Sequence, residues 1–244
     1  MQAIIMAAGK GSRLAPMNVN RPKSFVEING HKLLDYQLAI YKRLEIEEVI
    51  IVTGYRSDLI ESHVKDIPYI KTVYNPFYEF SNVLASFWMG MEYLKGDFFY
   101  SHADTIFDLS IINRIQETKG DIILPVDIKR CGEEEMKVSL DQNGKINFIN
   151  KTMTAEEALG EFIGVAKISN RALPVLKEAT RKQMQDQNLK AFFEVALQDL
   201  INEQKELFAI ADITGEYWNE IDFVEDYNKA VQSFKQSSLS QLFE

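Results

Sequence analysis

Cysteine is almost missing from this chain: Cys131 is the only one in 244 residues. That excludes a disulfide framework and a cysteine-based zinc site, and with no local histidine partner Cys131 has no nucleophilic role either. Positive charge is scarce as well. The 27 Lys and Arg face 36 Asp and Glu, a net of −9, the reverse of the basic face expected of a nucleic-acid binder. No apolar run reaches membrane-span length, and Met1 leads straight into a strand-like run instead of a basic-then-apolar signal segment, so no membrane partner and a cytoplasmic location are expected. Internal repeats and low-complexity linkers are absent. What is left, 46% hydrophobic and 26% charged, is an ordinary globule of a size for one α/β domain with a substantial core.

The densest information lies in residues 1–25, MQAIIMAAGKGSRLAPMNVNRPKSF. The run Ala3-Ile4-Ile5-Met6-Ala7 suits a strand buried on both faces, and Gly9 and Gly11 let backbone N–H groups turn inward without a Cβ in the way. Such a turn cradles anionic oxygens, and Lys10, Arg13, Arg21 and Lys23 concentrate cations around it in an otherwise acidic chain. Two familiar phosphate loops are excluded. A P-loop requires G-x-x-x-x-G-K-[ST], which Lys10-Gly11 does not satisfy, and the dinucleotide fingerprint would need its third glycine where Leu14 stands.

What remains, A-A-G-x-G-[ST]-R-L followed by P-K, resembles the signature of the nucleotidyltransferases that join an NTP to a phosphorylated small molecule. The resemblance implies that Ala8, Gly9, Gly11, Ser12 and Arg13, with Ala103, bind the nucleotide, and that Lys23 contacts the reacting phosphates, so that Arg13 and Lys23 are the catalytic cations.

Strand-like and helix-like runs alternate through the first half: strand Ala3–Ala7, helix Leu33–Arg43, strand Glu48–Thr53, helix Asp58–Val64, strand Tyr69–Tyr74, helix Asn82–Leu94, strand Phe98–Ala103. This rhythm predicts an α/β fold, a mostly parallel twisted sheet flanked by helices, of the Rossmann-like nucleotidyltransferase kind. Ligands in such sheets sit at the carboxyl ends of strands where the order reverses, and both the Gly-rich turn and Asp104 fall at strand ends. The second half predicts antiparallel strands at Asp121–Val126, Met136–Leu140, Ile146–Asn150 and Glu161–Ile168, with Asn143-Gly144 as a hairpin signal, forming a small antiparallel substrate-binding extension or lid. Helices Arg171–Lys182 and Ala191–Glu203, strand Leu207–Ile213 and a last helix from Val224 follow; the Ser- and Gln-rich tail Ser233–Glu244 is expected to fray. One domain, 1–244, is expected, with 1–104 binding the NTP, 121–215 the acceptor, and 216–233 adding a second metal ligand and a closing helix.

Transfer of a nucleotidyl group brings two anions together, so neutralising charge at the α-phosphate and leaving group is the protein's main task, commonly with Mg²⁺ held by one or two carboxylates. Asp104, where an apolar strand ends, and Asp222, ahead of the last helix, are the candidates, and the resemblance implies that they jointly hold the metal. An Asp before a helix is equally a plain N-cap, and Asp108 and Asp222 both have that reading open.

The segment Tyr74–Trp88 resembles phosphocholine cytidylyltransferases and related enzymes making CDP-activated small phosphorylated alcohols or phosphonates. It implies that Asn82 and Ser86, four residues apart on one helix face, read the base, so CTP and a small phosphorylated acceptor are the expected ligands. An N-cap Asn and a helix Ser bonded to its own backbone explain the same residues structurally. The resemblance extends to Lys151, near phosphate, and Glu161, facing the acceptor, which otherwise read as surface residues. Tyr78 and Trp218 belong to a dense aromatic set that forms either a cage for a quaternary ammonium or ordinary core. Glu133–Glu135 reads as a solvated loop or an amine attractor. His102 reads as packing, since an ionised phosphate nucleophile needs no base. Rival readings are a sugar-1-phosphate nucleotidyltransferase using UTP, dTTP or GTP and a nucleotide-sensing domain without catalysis; a homo-oligomer is compatible with all of them.

Overall fold

The computed structural model describes residues 1–14 and 17–243. In chain order the elements are β1 (Gln2–Ala7), β2 (Glu27–Ile28), β3 (His31–Lys32), α1 (Leu33–Arg43), β4 (Glu48–Thr53), α2 (Ser57–Val64), β5 (Ile70–Tyr74), α3 (Val83–Gly90), β6 (Phe98–His102) and β7 (Thr105–Phe107). After them come α4 (Leu109–Glu117), β8 (Ile122–Asp127), β9 (Lys137–Leu140), β10 (Ile146–Asn150), β11 (Gly160–Phe162), β12 (Val165–Ile168), α5 (Leu173–Gln185), α6 (Phe193–Gln204), β13 (Phe208–Asp212), β14 (Trp218–Glu220) and α7 (Val224–Ser233). No helix among the described residues is long and apolar enough to cross a membrane.

One sheet runs through the whole molecule in the order β10-β9-β11-β8-β12-β6-β1-β4-β5, with β13 added to the other edge of β8. Its centre is parallel: β1 lies between β4 and β6, and every residue of β1 is buried. The period of two in a strand splits that run between two cores. Ala3, Ile5 and Ala7 face one side with helix α1, while Ile4 and Met6 face the other with α3 and α6. Burial on both faces is why these strands read as unbroken apolar runs.

The antiparallel extension is present, and it is hydrogen-bonded into the central sheet instead of standing apart as a lid. The run expected as one strand, Glu161–Ile168, is two. It breaks at Gly164, whose φ is +72°, and β11 then pairs with β9 while β12 pairs with β6. A Cβ at Gly164 would lie 2.7 Å from His102 Nδ1, so only glycine permits the bend to pass that close to the end of β6. Helix α4 follows Asp108, whose N-cap reading holds: its Oδ1 accepts from the Leu109 amide at 2.7 Å.

The tail expected to fray packs instead. Phe234 and Leu239 are buried, the Ser238 amide donates to Asp108 Oδ2 at 2.8 Å, and Phe243 stacks on His31 with centroids 3.6 Å apart. Its apolar residues outweigh the Ser and Gln content because they meet α1 and the β2–β3 hairpin. Glu244 lies outside the described residues.

Two features aim the chain at one point. Strands β1 and β6 are neighbours with Met6 opposite His102, and they sit where the strand order turns back, so the Gly-rich turn and Asp104 emerge side by side. A short ribbon, β14 on β7, pairs Glu220 with Thr105, and the Ile221 amide donates to the Asp104 carbonyl at 3.0 Å. That ribbon carries Asp222 to Asp104.

Candidate active site

The turn after β1 is fastened at both ends. The Ala8 carbonyl accepts from the Tyr55 amide at 3.1 Å, and Leu14, fully buried, anchors the far side with its amide on the Gly11 carbonyl. Gly11 has φ +64°, and a Cβ there would meet Lys23 Cβ and Cγ at 2.9 Å. Glycine is required twice over, by backbone conformation and by the lysine stem lying against it. Ser12 and Arg13 are exposed on this turn. The Arg13 guanidinium rests over the Phe223 ring at 4.9 Å, with Asp222 and Glu134 oxygens no nearer than 3.9 and 4.0 Å. Arg13 lines the adjoining cavity, and among the described residues its guanidinium has no closer acidic partner.

Lys23 is the hub. Its Nζ donates to Asp104 Oδ2 at 2.6 Å and also to Asp222 Oδ1. Loss of water works to lower the lysine's pKa, and the two carboxylates more than reverse it, holding the ammonium well above the ordinary lysine range. Desolvation likewise works to raise Asp104, yet Lys23, with His102, keeps its carboxyl below the usual range. Asp222 does not cap α7: Asp226 does that, its Oδ2 accepting from the amides of Asp222 and Phe223, so the Asp222 carboxylate is left to the site.

The other oxygen of Asp104, Oδ1, is buried with no hydrogen-bond partner. Atoms of His102, Asp104 and Glu220 lie within 4.8 Å of one another, close enough to share an ion. Asp104 and Asp222 share one ammonium, Glu220 lies beside Asp104, and Asp104 keeps an unpartnered buried oxygen, an oxygen-rich donor set that fits a hard divalent cation. Glu220 was not anticipated. It stands two residues before Asp222 on a short strand, and that period is the signal that could have found it.

A cavity of about 400 Å³ opens from this centre. One wall carries Tyr78, Asn82 and Ser86. Asn82 caps α3: its Oδ1 accepts from the Val83 amide at 2.8 Å and its Nδ2 donates to the Lys190 carbonyl at 3.3 Å. The buried Ser86 hydroxyl accepts from Asn75 Nδ2 at 3.0 Å. The N-cap reading holds for Asn82, while Ser86 is bonded by Asn75 and not by its own helix backbone; Asn82 retains one donor and one acceptor position and Ser86 its hydroxyl proton. Lys151, Phe162, Phe192 and Glu194 line the same cavity.

Glu161 and Trp218 do not join Lys151 and Tyr78. They line a second cavity of about 560 Å³ that adjoins the first at Glu134, Glu220 and Asp222. There Lys129 Nζ lies 2.7 Å from Glu161, 3.1 Å from Glu135 and 5.4 Å from the centre of a Trp218 ring. Desolvation opposes the charge on Lys129, but hydrogen bonds and attraction from the two glutamates keep its pKa above the ordinary range. The cation that meets Trp218 in this fold is the chain's own ammonium. Burial and the nearby glutamates push the Cys131 thiol up to about 11, in keeping with a residue that has no nucleophilic role.

Comparison with known proteins places this geometry among relatives. The model of the MobA-like NTP transferase domain matches residues 3–200. A CTP:phosphoglutamine cytidylyltransferase of Campylobacter jejuni is 26% identical over 257 residues, covering 95% of this chain and 100% of that protein. A choline-phosphate cytidylyltransferase of Streptococcus pneumoniae is 35% identical over 98 residues, 40% of this chain and 42% of its own length. Among solved structures, the inositol-1-phosphate CTP transferase from T. maritima superposes with a TM-score of 0.80 at 24% identity, covering 100% of this chain and 96% of its own, which shows the shared fold.

Proposed function

The chain belongs to the MobA-like NTP transferase domain family, and on that premise we propose that it is a Mg²⁺-dependent cytidylyltransferase, moving CMP from CTP to a small phosphorylated acceptor such as an amino-alcohol phosphate or phosphonate. In this reading an acceptor phosphate oxygen attacks the α-phosphorus of CTP; the new P–O bond forms as the bond to the β-phosphate breaks, and pyrophosphate leaves. The nucleophile is already ionised, so no side chain need take a proton, and His102, whose Nε2 is engaged by the Tyr100 hydroxyl at 2.8 Å, is not needed as a base.

The observation that carries the reading is the junction of the Gly-rich turn with Lys23, Asp104 and Asp222. Arg13 and the turn's backbone amides grip the triphosphate, with Arg13 suited to a two-pronged contact. Lys23 places its ammonium at the reacting phosphates. Asp104 and Asp222, with Glu220 adjacent, are the residues to hold Mg²⁺, which when bound would neutralise charge on the α-phosphate and leaving group. Support for that role is the unpartnered Asp104 Oδ1. Asn82 and Ser86 are assigned to the cytosine edge and Lys151 to acceptor phosphate.

The test is pyrophosphate release from CTP, UTP, dTTP and GTP with a panel of phosphorylated acceptors, with and without EDTA. Turnover confined to UTP or dTTP with a sugar 1-phosphate would replace this reading by the sugar-nucleotide alternative, and no turnover with any pair would favour a sensing domain.

A further inference from the structure

The polar group in the first cavity that the transfer reaction leaves unexplained is Glu194. It is the second residue of α6 and only 3% exposed, it lines the cavity, and its Oε2 is buried without any hydrogen-bond partner. A buried carboxylate oxygen in that state is costly and native folds rarely keep one without a reason.

The side chain is also held where it is. The segment before it is pinned to the start of α3, with the Asn82 amide on the Leu189 carbonyl at 2.8 Å and the Leu84 amide on the Ala191 carbonyl at 3.3 Å. Phe193 stacks on Tyr100 with centroids 3.9 Å apart, and the Tyr100 hydroxyl is taken by His102. Among the described residues no group donates to that oxygen, and the pinned segment holds the start of α6 against α3. Its surroundings divide by chemistry. Lys151, whose Nζ sits 5.4 Å over the Phe192 ring, offers a cation to an anionic group, while Phe162 and Phe192 offer apolar walls to a short carbon linker.

We propose that Glu194 selects the acceptor by taking a hydrogen bond from an N–H or O–H group at the end remote from the acceptor's phosphate. This rests on the nucleotidyl-transfer reading. An acceptor whose remote end is a primary amine, an amide or a hydroxyl satisfies the orphaned oxygen. A trimethylated ammonium carries no such hydrogen and leaves the oxygen orphaned while still being drawn by charge. The preferred class is therefore a small phosphate or phosphonate ester with a donor-bearing head.

The experiment uses the full chain and measures pyrophosphate release. Wild type is assayed with each NTP against phosphoethanolamine, 2-aminoethylphosphonate, inositol 1-phosphate, glucose 1-phosphate and phosphocholine. The expected result is a donor-bearing acceptor favoured over phosphocholine by about tenfold or more in kcat/KM, the scale of one hydrogen bond to a charged group. Glu194→Gln and Glu194→Leu are then compared on the best acceptor. Both should raise the acceptor KM by about tenfold or more, leave the CTP KM within about twofold, and erase the preference over phosphocholine. Preference for phosphocholine in wild type, an unchanged acceptor KM in both variants, or a shift in CTP KM alone overturns the proposal. Should Glu194→Leu fail to fold, the isosteric Gln variant decides it. Absence of turnover with every pair sinks the transferase reading itself, a different outcome from turnover that ignores Glu194.

Discussion

Replacing Lys23 by Met keeps most of the stem that lies against Gly11 and removes the ammonium between Asp104 and Asp222. The lysine side chain is 13% exposed, Asp104 20% and Asp222 32%. Breaking a buried ionic cluster by deleting one partner costs about 3–5 kcal/mol, because the remaining charges are left uncompensated. Asp222 is a third open to water and has Arg13 at 3.9 Å, which screens part of that loss. A cost of about 2–4 kcal/mol is the working figure, and at about 2–4 °C per kcal/mol for a chain of this size it lowers Tm by roughly 5–15 °C. The assay is thermal unfolding in EDTA, run on Lys23→Met, Asp104→Asn and the double variant. Asp104→Asn removes the Asp104–Asp222 repulsion that Lys23→Met exposes, so the double variant should lose clearly less than the sum of the singles. Added Mg²⁺ should then stabilise Lys23→Met more than wild type, since both carboxylates become free to hold the ion. A Tm loss under about 2 °C, or strict additivity in the double variant, would refute the picture of Lys23 as the neutralising hub.

Asp222→Asn should leave the fold intact and cut turnover on the order of a thousandfold through loss of a metal clamp; near-native rates at ordinary Mg²⁺ would remove Asp222 from the metal site. Arg13→Lys should raise the CTP KM with little effect on Tm, because the guanidinium makes no close ion pair that the fold depends on, and unchanged kinetics would make the turn purely structural. Asn82→Ala should lower stability by about 1 kcal/mol through loss of the α3 cap and also erode the preference for CTP over UTP; a stability loss with no change in preference would leave only the capping role. Glu194→Gln bears on pH. Burial raises the Glu194 carboxyl above its ordinary value, against the pull of His102, its own backbone amide and Lys151. A raised carboxyl contributes stability that is present below the unfolded-state value and lost as pH rises through the folded one. Wild type should therefore lose Tm relative to Glu194→Gln as pH rises above about 4.5, and a gap that stays flat with rising pH would mean that the carboxyl titrates normally.

The sheet centre was legible because burial on both faces leaves a plain mark: Glu48–Thr53 and Leu33–Arg43 are observed with the boundaries read from pattern alone. The break at Gly164 was not legible, since the run on either side alternates like one strand and only the approach of His102 reveals why glycine stands there. Helix α4 was marked in the sequence only by its N-cap candidate Asp108, although Ile111, Ile112 and Ile115 form a buried stripe. At the site, the structure brings Arg13, Lys23, Asp104 and Asp222 together. The separation of Glu161 and Trp218 from Lys151 could not be foreseen, because it depends on Lys129 lying between two glutamates and an indole. Glu194 does not stand out in the sequence; its burial accompanies the Tyr100–Phe193 stack, a tertiary contact with no local signature.

Lys23 and Asp222 are 199 residues apart in the chain, and the Asp108–Ser238 contact that seats the tail spans another 130. Closing loops of that length carries an entropic cost that local helices and neighbouring strands do not face, so such contacts form late in folding. The sheet centre can collapse early from β1, β4 and β6, yet the ion cluster waits for the final tenth of the polypeptide. On the proposed role of Asp222, catalytic competence arrives with this long-range closure, and a nascent or C-terminally clipped chain that has already built its Gly-rich turn lacks that carboxylate beside Lys23.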